Sequence, residues 1–273
     1  MKSGKAAYVC PVCGREGMKA ADQGPAVYYH RCSFCDTVWL SDRSEYELAR
    51  KDIYDENYVT KMNGAAGING YRRLAERYFY LLHYLACAAH KRRPGPFTFA
   101  EIGFSLPSVF TYFFNYGYDV TAMDMRVPDK LRNDLNMLVE SGRLHFVEGD
   151  FEKWDTAQRF DVLWLSHVLE HFEDTLEVLR KIKGLLKETG VAFISSPDAE
   201  NMKDFGVPGL LGHLHPKEHL FMYSLKTFGV LCAKAGLKVC FRERYQDPVP
   251  GKFEFVTKME WRALIVPQER HLS

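Results

Sequence analysis

The fold of this chain is decided by residues 97–124, which read FTFAEIGFSLPSVFTYFFNYGYDVTAMD. The runs 97–103 and 118–124 are short and rich in apolar residues, as expected for strands that are buried on both faces. The segment 108–116 between them has the length of a short helix, and Pro107 suits the first turn of a helix. A strand, a helix and a second strand in this order predict two parallel neighbouring strands.

The alternation of strands and helices continues along the rest of the chain. Asp174 and Ser224 precede two further helical patterns, and both side chains are suited to accept backbone N–H groups at a helix N-terminus. The last two predicted strands, 237–243 and 253–266, lack room for a crossover helix between them and should pair antiparallel. The sequence therefore predicts an α/β, Rossmann-like fold with a seven-stranded, mostly parallel sheet and an antiparallel C-terminal hairpin. The other predicted elements are strands at 143–148, 160–166 and 191–196 and a helix at 128–140.

The cysteines fall into two groups. Two CxxC pairs near the N-terminus consist of Cys10, Cys13, Cys32 and Cys35. Paired knuckles of this kind supply four thiolates to a tetrahedral Zn²⁺, and four protein ligands are typical of a structural metal. The sequence therefore predicts an N-terminal zinc ribbon, with His30 as an alternative ligand. Three isolated cysteines are predicted to be buried and inert. They are Cys87, Cys232 and Cys240.

We expect three regions along the chain. Residues 1–42 hold the zinc ribbon, 43–94 hold a polar linker and an amphipathic N-terminal helical segment, and 95–273 hold the Rossmann-like domain. The formal net charge of +1 argues against nucleic acid as the main partner. The chain has no apolar run of membrane-spanning length, and its N-terminus lacks the apolar stretch of a secretory signal. We therefore expect a cytoplasmic protein without a membrane contact.

Polar residues follow the predicted strands at their carboxyl ends, where open parallel sheets bind ligands. Glu101 and Gly103 lie at the end of the first strand, and Asp124 ends the second strand about 20 residues on. This position suits a carboxylate that accepts hydrogen bonds from both hydroxyls of a ribose. After the third strand, Asp150 is placed to accept from an adenine amino group and Phe151 to pack on the ring. Structural alternatives remain: a loop or helix-dipole partner for Glu101, a strand-end cap for Asp124, a turn residue for Asp150 and a core position for Phe151.

The region 97–241 resembles the class I S-adenosylmethionine-dependent methyltransferases, in particular a small-molecule group with a Leu-Glu-His signature. That signature is present as Leu169-Glu170-His171, and later matches are 188–194, 219–221 and 235–237. The segment 52–58, DIYDENY, is similar to members found with sugar and natural-product pathways. The resemblance implies S-adenosylmethionine as cofactor. The residues implied in its binding are Glu101, Gly103, Ser105, Asp124, Asp150, Phe151 and Ser166.

The chain departs from the family at Ser105 and Pro107, where the cofactor loop usually has glycine. Glycine permits a positive φ and a close approach of the backbone to the cofactor, whereas proline removes an N–H group. This departure leaves open a second hypothesis, in which the chain is a catalytically silent methyltransferase-fold scaffold.

Histidines concentrate near the predicted active end of the sheet. His167 follows the fourth strand, and we select it as the catalytic base, because histidine is the usual base at neutral pH. His215 is the second choice. An alternative for the loop histidines is a second metal site, made of His213, His215 and His219.

The sequence thus predicts methyl transfer to a small-molecule acceptor such as a sugar or a natural-product-like compound. A ribosomal-RNA methyltransferase is the alternative enzyme, because zinc ribbons also precede such domains. Basic residues near the ribbon favour it slightly, and a protein partner bound through the ribbon is a further expectation. These basic residues are Lys2, Lys5, Arg15, Lys19, Arg31 and Arg43.

Overall fold

The structure is a computed structural model of the 273-residue chain. No helix among the residues that it describes is both long enough and apolar enough to cross a membrane. The described residues are 9–22, 28–40, 43–49, 65–89, 96–104, 109–127, 129–200, 217–247 and 258–268.

A seven-stranded sheet forms the centre of the molecule, as predicted. Five neighbouring strands run parallel, in the spatial order β6-β5-β4-β7-β8. Their carboxyl ends therefore meet at one edge, which we call the rim. The five strands are β4 (Thr98–Ile102), β5 (Asp119–Asp124), β6 (Leu144–Glu148), β7 (Phe160–Ser166) and β8 (Leu186–Pro197).

The predicted antiparallel hairpin closes the other side of the sheet. It consists of β10 (Leu237–Asp247) and β11 (Lys258–Pro267), and β11 lies between β8 and β10. Because β11 runs antiparallel to β8, its first residues lie at the rim, and Glu260 pairs with Pro197 there. The predicted start of this strand at Phe253 lies outside the described residues.

Helices flank the sheet at the positions that the hydrophobic pattern indicates. The two predicted caps are confirmed: Asp174 Oδ1 accepts from the backbone N–H of Glu177 at 3.0 Å, and Ser224 Oγ accepts from that of Thr227 at 3.2 Å. The helices are α1 (Ser44–Ala49), α2 (Ala65–Ala89), α3 (Phe110–Asn115), α4 (Asp129–Asp134), α5 (Asn136–Glu140), α6 (Thr175–Leu185) and α7 (Leu225–Lys234).

Two details differ from the prediction. The helix expected at 128–140 is divided at Leu135, whose φ of −110° and ψ of 13° are not helical. Strand β8 begins at Leu186, earlier than the predicted Val191, because Leu186 already pairs with Phe160 of β7. Tertiary pairing, which local propensity does not report, sets this strand boundary.

The core lies on both faces of the sheet. On one face, Trp164 stacks on Phe193 with ring centroids 3.8 Å apart, and Tyr78 of α2 packs edge-on against Phe193. On the other face, Phe228 of α7 packs on Trp261 of β11 at 4.3 Å. The aromatic rings provide large apolar contact areas and fix the positions of the strands that end at the rim.

The cysteine-bearing N-terminal segment forms a separate four-stranded sheet with a strand from the Rossmann-like domain. Strands β1, β2 and β3 pair antiparallel in sequence order, and β3 then pairs with β9. The sequence pattern did not indicate β9, which is too short for an alternation signal. The four strands are β1 (Gly17–Asp22), β2 (Tyr28–Cys32), β3 (Val38–Leu40) and β9 (Phe221–Met222).

The N-terminal strands β1, β2 and β3 with their cysteine-bearing turns, which we call the ribbon, pack directly against the Rossmann-like domain. The Tyr29 hydroxyl donates to the His219 carbonyl at 2.8 Å, and the Thr227 hydroxyl at the start of α7 donates to the Cys35 carbonyl. Val38 and Tyr29 are fully buried in the same apolar cluster as the α7 side chains. The ribbon and the larger domain therefore share a core, although the sequence suggests separate units.

Candidate active site and metal centre

The first rim residues come from β4. Glu101 is fully buried, and its Oε2 accepts from the backbone N–H of Phe110 at the start of α3 at 2.8 Å. Gly103 has a φ of +70°, and a Cβ there would lie 2.4 Å from Cγ2 of Val168. Both residues thus shape the turn after β4, where only glycine fits at position 103. Ser105 and Pro107, which carry the departure in the cofactor loop, lie outside the described residues.

Asp124 ends β5, the strand between β4 and the edge strand β6, and lies at the rim. Burial raises the pKa of its carboxyl to about 7, against the opposing effect of the backbone N–H groups of Arg126 and Met125, which donate to it. The Gly149 N–H donates to the Asp124 carbonyl at 2.9 Å and joins the end of β6 to that of β5. The side chain is therefore positioned at the predicted sugar-binding edge, and its charge changes near neutral pH.

Asp150 and Phe151 have clear structural contacts. Asp150 Oδ1 accepts from the backbone N–H of Glu152 at 2.9 Å and caps a short 3₁₀ turn. Phe151 is 4% exposed and lies against Phe172 and Trp154, at centroid distances of 5.6 and 6.2 Å. These contacts agree with the structural alternatives for both residues, and their contacts with adenine stay predictions.

Beyond Ser166, whose hydroxyl lies 2.9 Å from that of Ser195 on β8, the chain turns sharply at His167. His167 has a φ of 54°, an uncommon backbone conformation for a residue with a side chain. Its ring contacts two carboxylates: Nδ1 lies 3.3 Å from Glu170 Oε1 and Nε2 lies 2.6 Å from Glu260 Oε2. The side chain is 41% exposed, so the ring also faces the solvent at the rim.

The two carboxylates determine the charge of this ring. Burial disfavours the charged imidazole, but the contacts with Glu170 and Glu260 outweigh that effect and raise the His167 pKa to about 10. Burial alone would raise the pKa of Glu170, but the contact with the His167 ring outweighs that effect and lowers the pKa to about 2. At neutral pH the site therefore holds an imidazolium between two carboxylates.

Glu170, His171 and His219 also come together, with ligand atoms within 4.8 Å of one another. However, His171 Nδ1 lies 2.7 Å from the Glu218 carbonyl oxygen, and its Nε2 lies 3.1 Å from that of His167. Because both ring nitrogens are already engaged, we assign this cluster a structural role. His213 and His215, and with them the second metal hypothesis and the second candidate base, lie outside the described residues.

Sequence reasoning missed the rim residues that come from β11 and β10. Glu260 contacts His167, and Arg244 forms ion pairs with Asp198, at 3.0 Å, and with Glu200. Glu260 is 93 residues from His167 in the chain, and only the register of β11 against β8 brings the two together. The one available signal was the antiparallel direction of the last strand, which places its first residues at the rim.

The four paired cysteines lie in one cluster. The Cys10 and Cys35 Sγ atoms are 3.6 Å apart, those of Cys13 and Cys32 are 3.4 Å apart, and all four lie within 4.8 Å of one another. Thiolates around a tetrahedral Zn²⁺ lie about 3.8 Å apart, given Zn–S bonds of about 2.3 Å. The geometry therefore fits a Zn²⁺ ion without rearrangement of the backbone.

Both knuckles have the same backbone turn. Gly14 N–H donates to the Cys10 carbonyl at 2.9 Å, and Asp36 N–H donates to the Cys32 carbonyl at 3.0 Å. Gly14 and Asp36 have φ values of 73° and 59°. Glycine suits this conformation, whereas Asp36 is an uncommon choice that is held by an ion pair with Arg31 at 2.7 Å.

The remaining cysteines correct part of the prediction. Cys232 is fully buried, and burial raises the pKa of its thiol, as expected for an inert core residue. Cys87 and Cys240 are exposed, so the prediction that they are buried was wrong. Both cysteines lie on the solvent side of elements whose other face is apolar. Apolar neighbours in the sequence do not show on which of the two faces a residue lies.

Comparison with known proteins agrees with this arrangement. The model of a methyltransferase-domain family matches residues 103–240, just over half of the 273 residues. No curated protein matches the chain significantly. The chain therefore belongs to the methyltransferase-domain family, and it is an S-adenosylmethionine-dependent methyltransferase.

Several solved structures share the fold. One is the 1,6-didemethyltoxoflavin N1-methyltransferase of Burkholderia thailandensis, solved with 1,6-didemethyltoxoflavin and S-adenosylhomocysteine; it is 16% identical, with a TM-score of 0.58 over 92% of this chain and 100% of that chain. Another is the N-methyltransferase NodS of Bradyrhizobium japonicum WM9 in complex with S-adenosylhomocysteine, 13% identical, with a TM-score of 0.53 over 82% and 99% of the two chains. A mitomycin 7-O-methyltransferase is 18% identical, with a TM-score of 0.51 over 82% and 60%.

Proposed function

We propose that this chain transfers a methyl group from S-adenosylmethionine to a small-molecule acceptor bound at the rim, beside His167. The cofactor supplies a methyl group on a sulfonium, which reacts by in-line displacement. The protein then has to align the acceptor and exclude water. Asp124 would accept hydrogen bonds from the ribose hydroxyls, and Ser166 and His167 would lie next to the methyl group.

The observation that carries this proposal is the meeting of these side chains at one rim. Asp124 ends β5, Ser166 ends β7, and Glu260 at the start of β11 reaches the same edge. The fold neighbours include a 1,6-didemethyltoxoflavin N1-methyltransferase and a mitomycin 7-O-methyltransferase, whose names support a small acceptor. Sugars and natural-product-like compounds remain our proposed class.

His167 is the proposed base that takes the proton of the acceptor. Its raised pKa has a consequence for the rate, because a base must be unprotonated to act. If His167 acts in the free enzyme, kcat/KM should rise about tenfold per pH unit up to about pH 10. Loss of one carboxylate contact when the acceptor binds would make the ring a base at lower pH.

We further propose that Cys10, Cys13, Cys32 and Cys35 hold a structural Zn²⁺. The spacing of the sulfur atoms and the two matching knuckles support this assignment. Four protein ligands leave no open position, so the ion would stabilise the ribbon and take no part in methyl transfer. Since the ribbon packs against residues 219–227, the metal would also stabilise one side of the rim.

The direct test is release of S-adenosylhomocysteine during incubation with S-adenosylmethionine and a panel of phenols, sugars and heteroaromatic amines. We expect turnover with a subset of these compounds and a loss of about 100-fold or more in His167→Ala. His145→Ala, on the distant strand β6, is the matched control and should keep its activity. Full turnover by His167→Ala would remove His167 as the base.

The same assay with ribosomal-RNA fragments tests the alternative acceptor. Several basic residues near the ribbon already have partners: Arg31 pairs with Asp36, Arg43 lies 3.9 Å from Glu173, and Arg15 stacks on the Phe34 ring. These contacts favour ribbon stabilisation over phosphate binding. Methylation of RNA, with binding that weakens steeply as salt rises, would instead favour the RNA enzyme.

A further inference from the structure

Glu260 occupies an unusual position for a strand residue. It lies at the rim end of β11, opposite Pro197 at the end of β8, and its side chain is 14% exposed. Its Oε2 is 2.6 Å from His167 Nε2, and its Oε1 accepts from Arg262 Nε at 2.6 Å. Each carboxylate oxygen therefore has a separate cationic partner.

These residues belong to a longer row of alternating charges. Arg262, which is 5% exposed, also lies 3.4 Å from Glu243, and Glu243 in turn accepts from Arg77 of α2 at 2.8 Å. On the other side of the His167 ring, Glu170 Oε2 accepts from Ser196 at 3.0 Å. The row connects the rim to the N-terminal helix α2.

We propose that Glu260 is a positioning residue of the methyl-transfer site: it holds the His167 ring against Glu170 and is the contact that the acceptor displaces. This inference rests on the proposed role of His167. As long as Glu260 stays in place, its carboxylate lies 2.6 Å from Nε2 and keeps that nitrogen from an acceptor proton, while Nδ1 faces the buried Glu170.

The environments of the two carboxylates explain why Glu260 is the one displaced. Glu170 is fully buried beneath the ring, and no acceptor reaches it without disruption of the core. Glu260 faces the ring from the rim side, and Arg262 remains as its partner when the histidine contact is lost. Two further titratable groups lie close to this site. The His171 Nε2 contacts the His167 carbonyl oxygen, and both His171 and His219 act electrostatically on Glu170.

Titration of the His167 ring by carbon–proton NMR tests this inference without an acceptor. The ring signal is assigned by its absence from His167→Asn. In the wild-type protein we expect the midpoint near pH 10. In Glu260→Gln it should fall by about 1 to 3 pH units, because one of two adjacent negative charges is removed.

Two further variants separate charge from structure. Glu260→Asp keeps the charge and should restore much of the raised midpoint. Glu243→Gln removes the next carboxylate of the same row, which contacts Arg262 but not His167, and should leave the midpoint close to that of the wild-type protein. An unchanged midpoint in Glu260→Gln, or an equal fall in Glu243→Gln, would overturn the inference.

A different measurement tests the proposed function. S-adenosylhomocysteine binding by calorimetry needs neither His167 nor Glu260 in a particular charge state, and Glu260→Gln should bind it like the wild-type protein. Absence of binding to the wild-type protein would contradict the proposed cofactor site, whereas the NMR midpoints would still decide whether Glu260 controls His167.

Discussion

In the proposed cofactor site, Asp124 is the residue whose charge should matter most for binding. A carboxylate accepts the hydrogen bonds of both ribose hydroxyls, whereas a protonated carboxyl group has less capacity to accept them. Because burial raises the pKa of this group to about 7, the free protein contains both forms near neutral pH. Binding should therefore select the ionised form and release a proton in acidic buffer.

The difference between the ionised and the protonated Asp124 predicts that cofactor affinity falls as the pH falls. The affinity for S-adenosylhomocysteine should fall about tenfold from pH 8 to pH 6, since at pH 6 about one molecule in ten has the ionised carboxylate. Calorimetry at pH 6, 7 and 8 measures this change. Asp124→Asn should bind more weakly at every pH and without the slope. A flat wild-type profile would contradict the role of Asp124.

At the scale of the residue, the sequence predicted which side chains lie at the rim better than it predicted their hydrogen-bond partners. Glu101, Asp124 and Asp150 were predicted from the fact that residues at the carboxyl ends of parallel strands meet at one edge. Their hydrogen-bond partners depend on side-chain direction and on the next turn of the chain. For that reason the Glu101 contact with Phe110 and the cap formed by Asp150 were open alternatives in the sequence.

At the scale of the element, the ribbon is joined to the larger domain through β9. The pairing of Trp39 with Phe221 links residues 182 positions apart in the chain, so no local pattern predicts it. The hydroxyl of Thr227 adds a contact from α7 to the second knuckle. If the four cysteines hold Zn²⁺ as proposed, loss of the metal should therefore destabilise β9 as well as β1, β2 and β3.

Cys35→Ser tests this coupling. If the four cysteines hold Zn²⁺ as proposed, the wild-type protein should contain about one zinc ion per chain and the variant should lose it. The unfolding midpoint should fall by at least about 5 °C, which corresponds to roughly 2 kcal/mol. Hydrogen exchange at residues 221–222 should become faster. Cys240→Ser, an exposed cysteine outside the cluster, is the matched control and should change neither zinc content nor exchange. Unchanged exchange at 221–222 in the zinc-free variant would contradict the coupling.

At the scale of the whole molecule, the sequence predicts the directions of the strands in the large sheet more completely than it predicts the contacts around that sheet. Alternating apolar runs and helical segments predict parallel strands, and the short connection before β11 predicts the final hairpin. The shared core of ribbon and domain, and the meeting of Glu260 with His167, arise from contacts between distant parts of the chain. Such contacts leave no periodic signal in the sequence.

The central claim is that the rim binds the cofactor, with Asp124 at its sugar and His167 beside its reactive end. The most direct measurement is a crystal structure of the protein with S-adenosylhomocysteine. We predict both ribose hydroxyls within hydrogen-bond distance of Asp124 and the sulfur atom facing Ser166 and His167. A nucleoside bound elsewhere, or a rim filled by side chains with Asp124 turned away from it, would contradict the account.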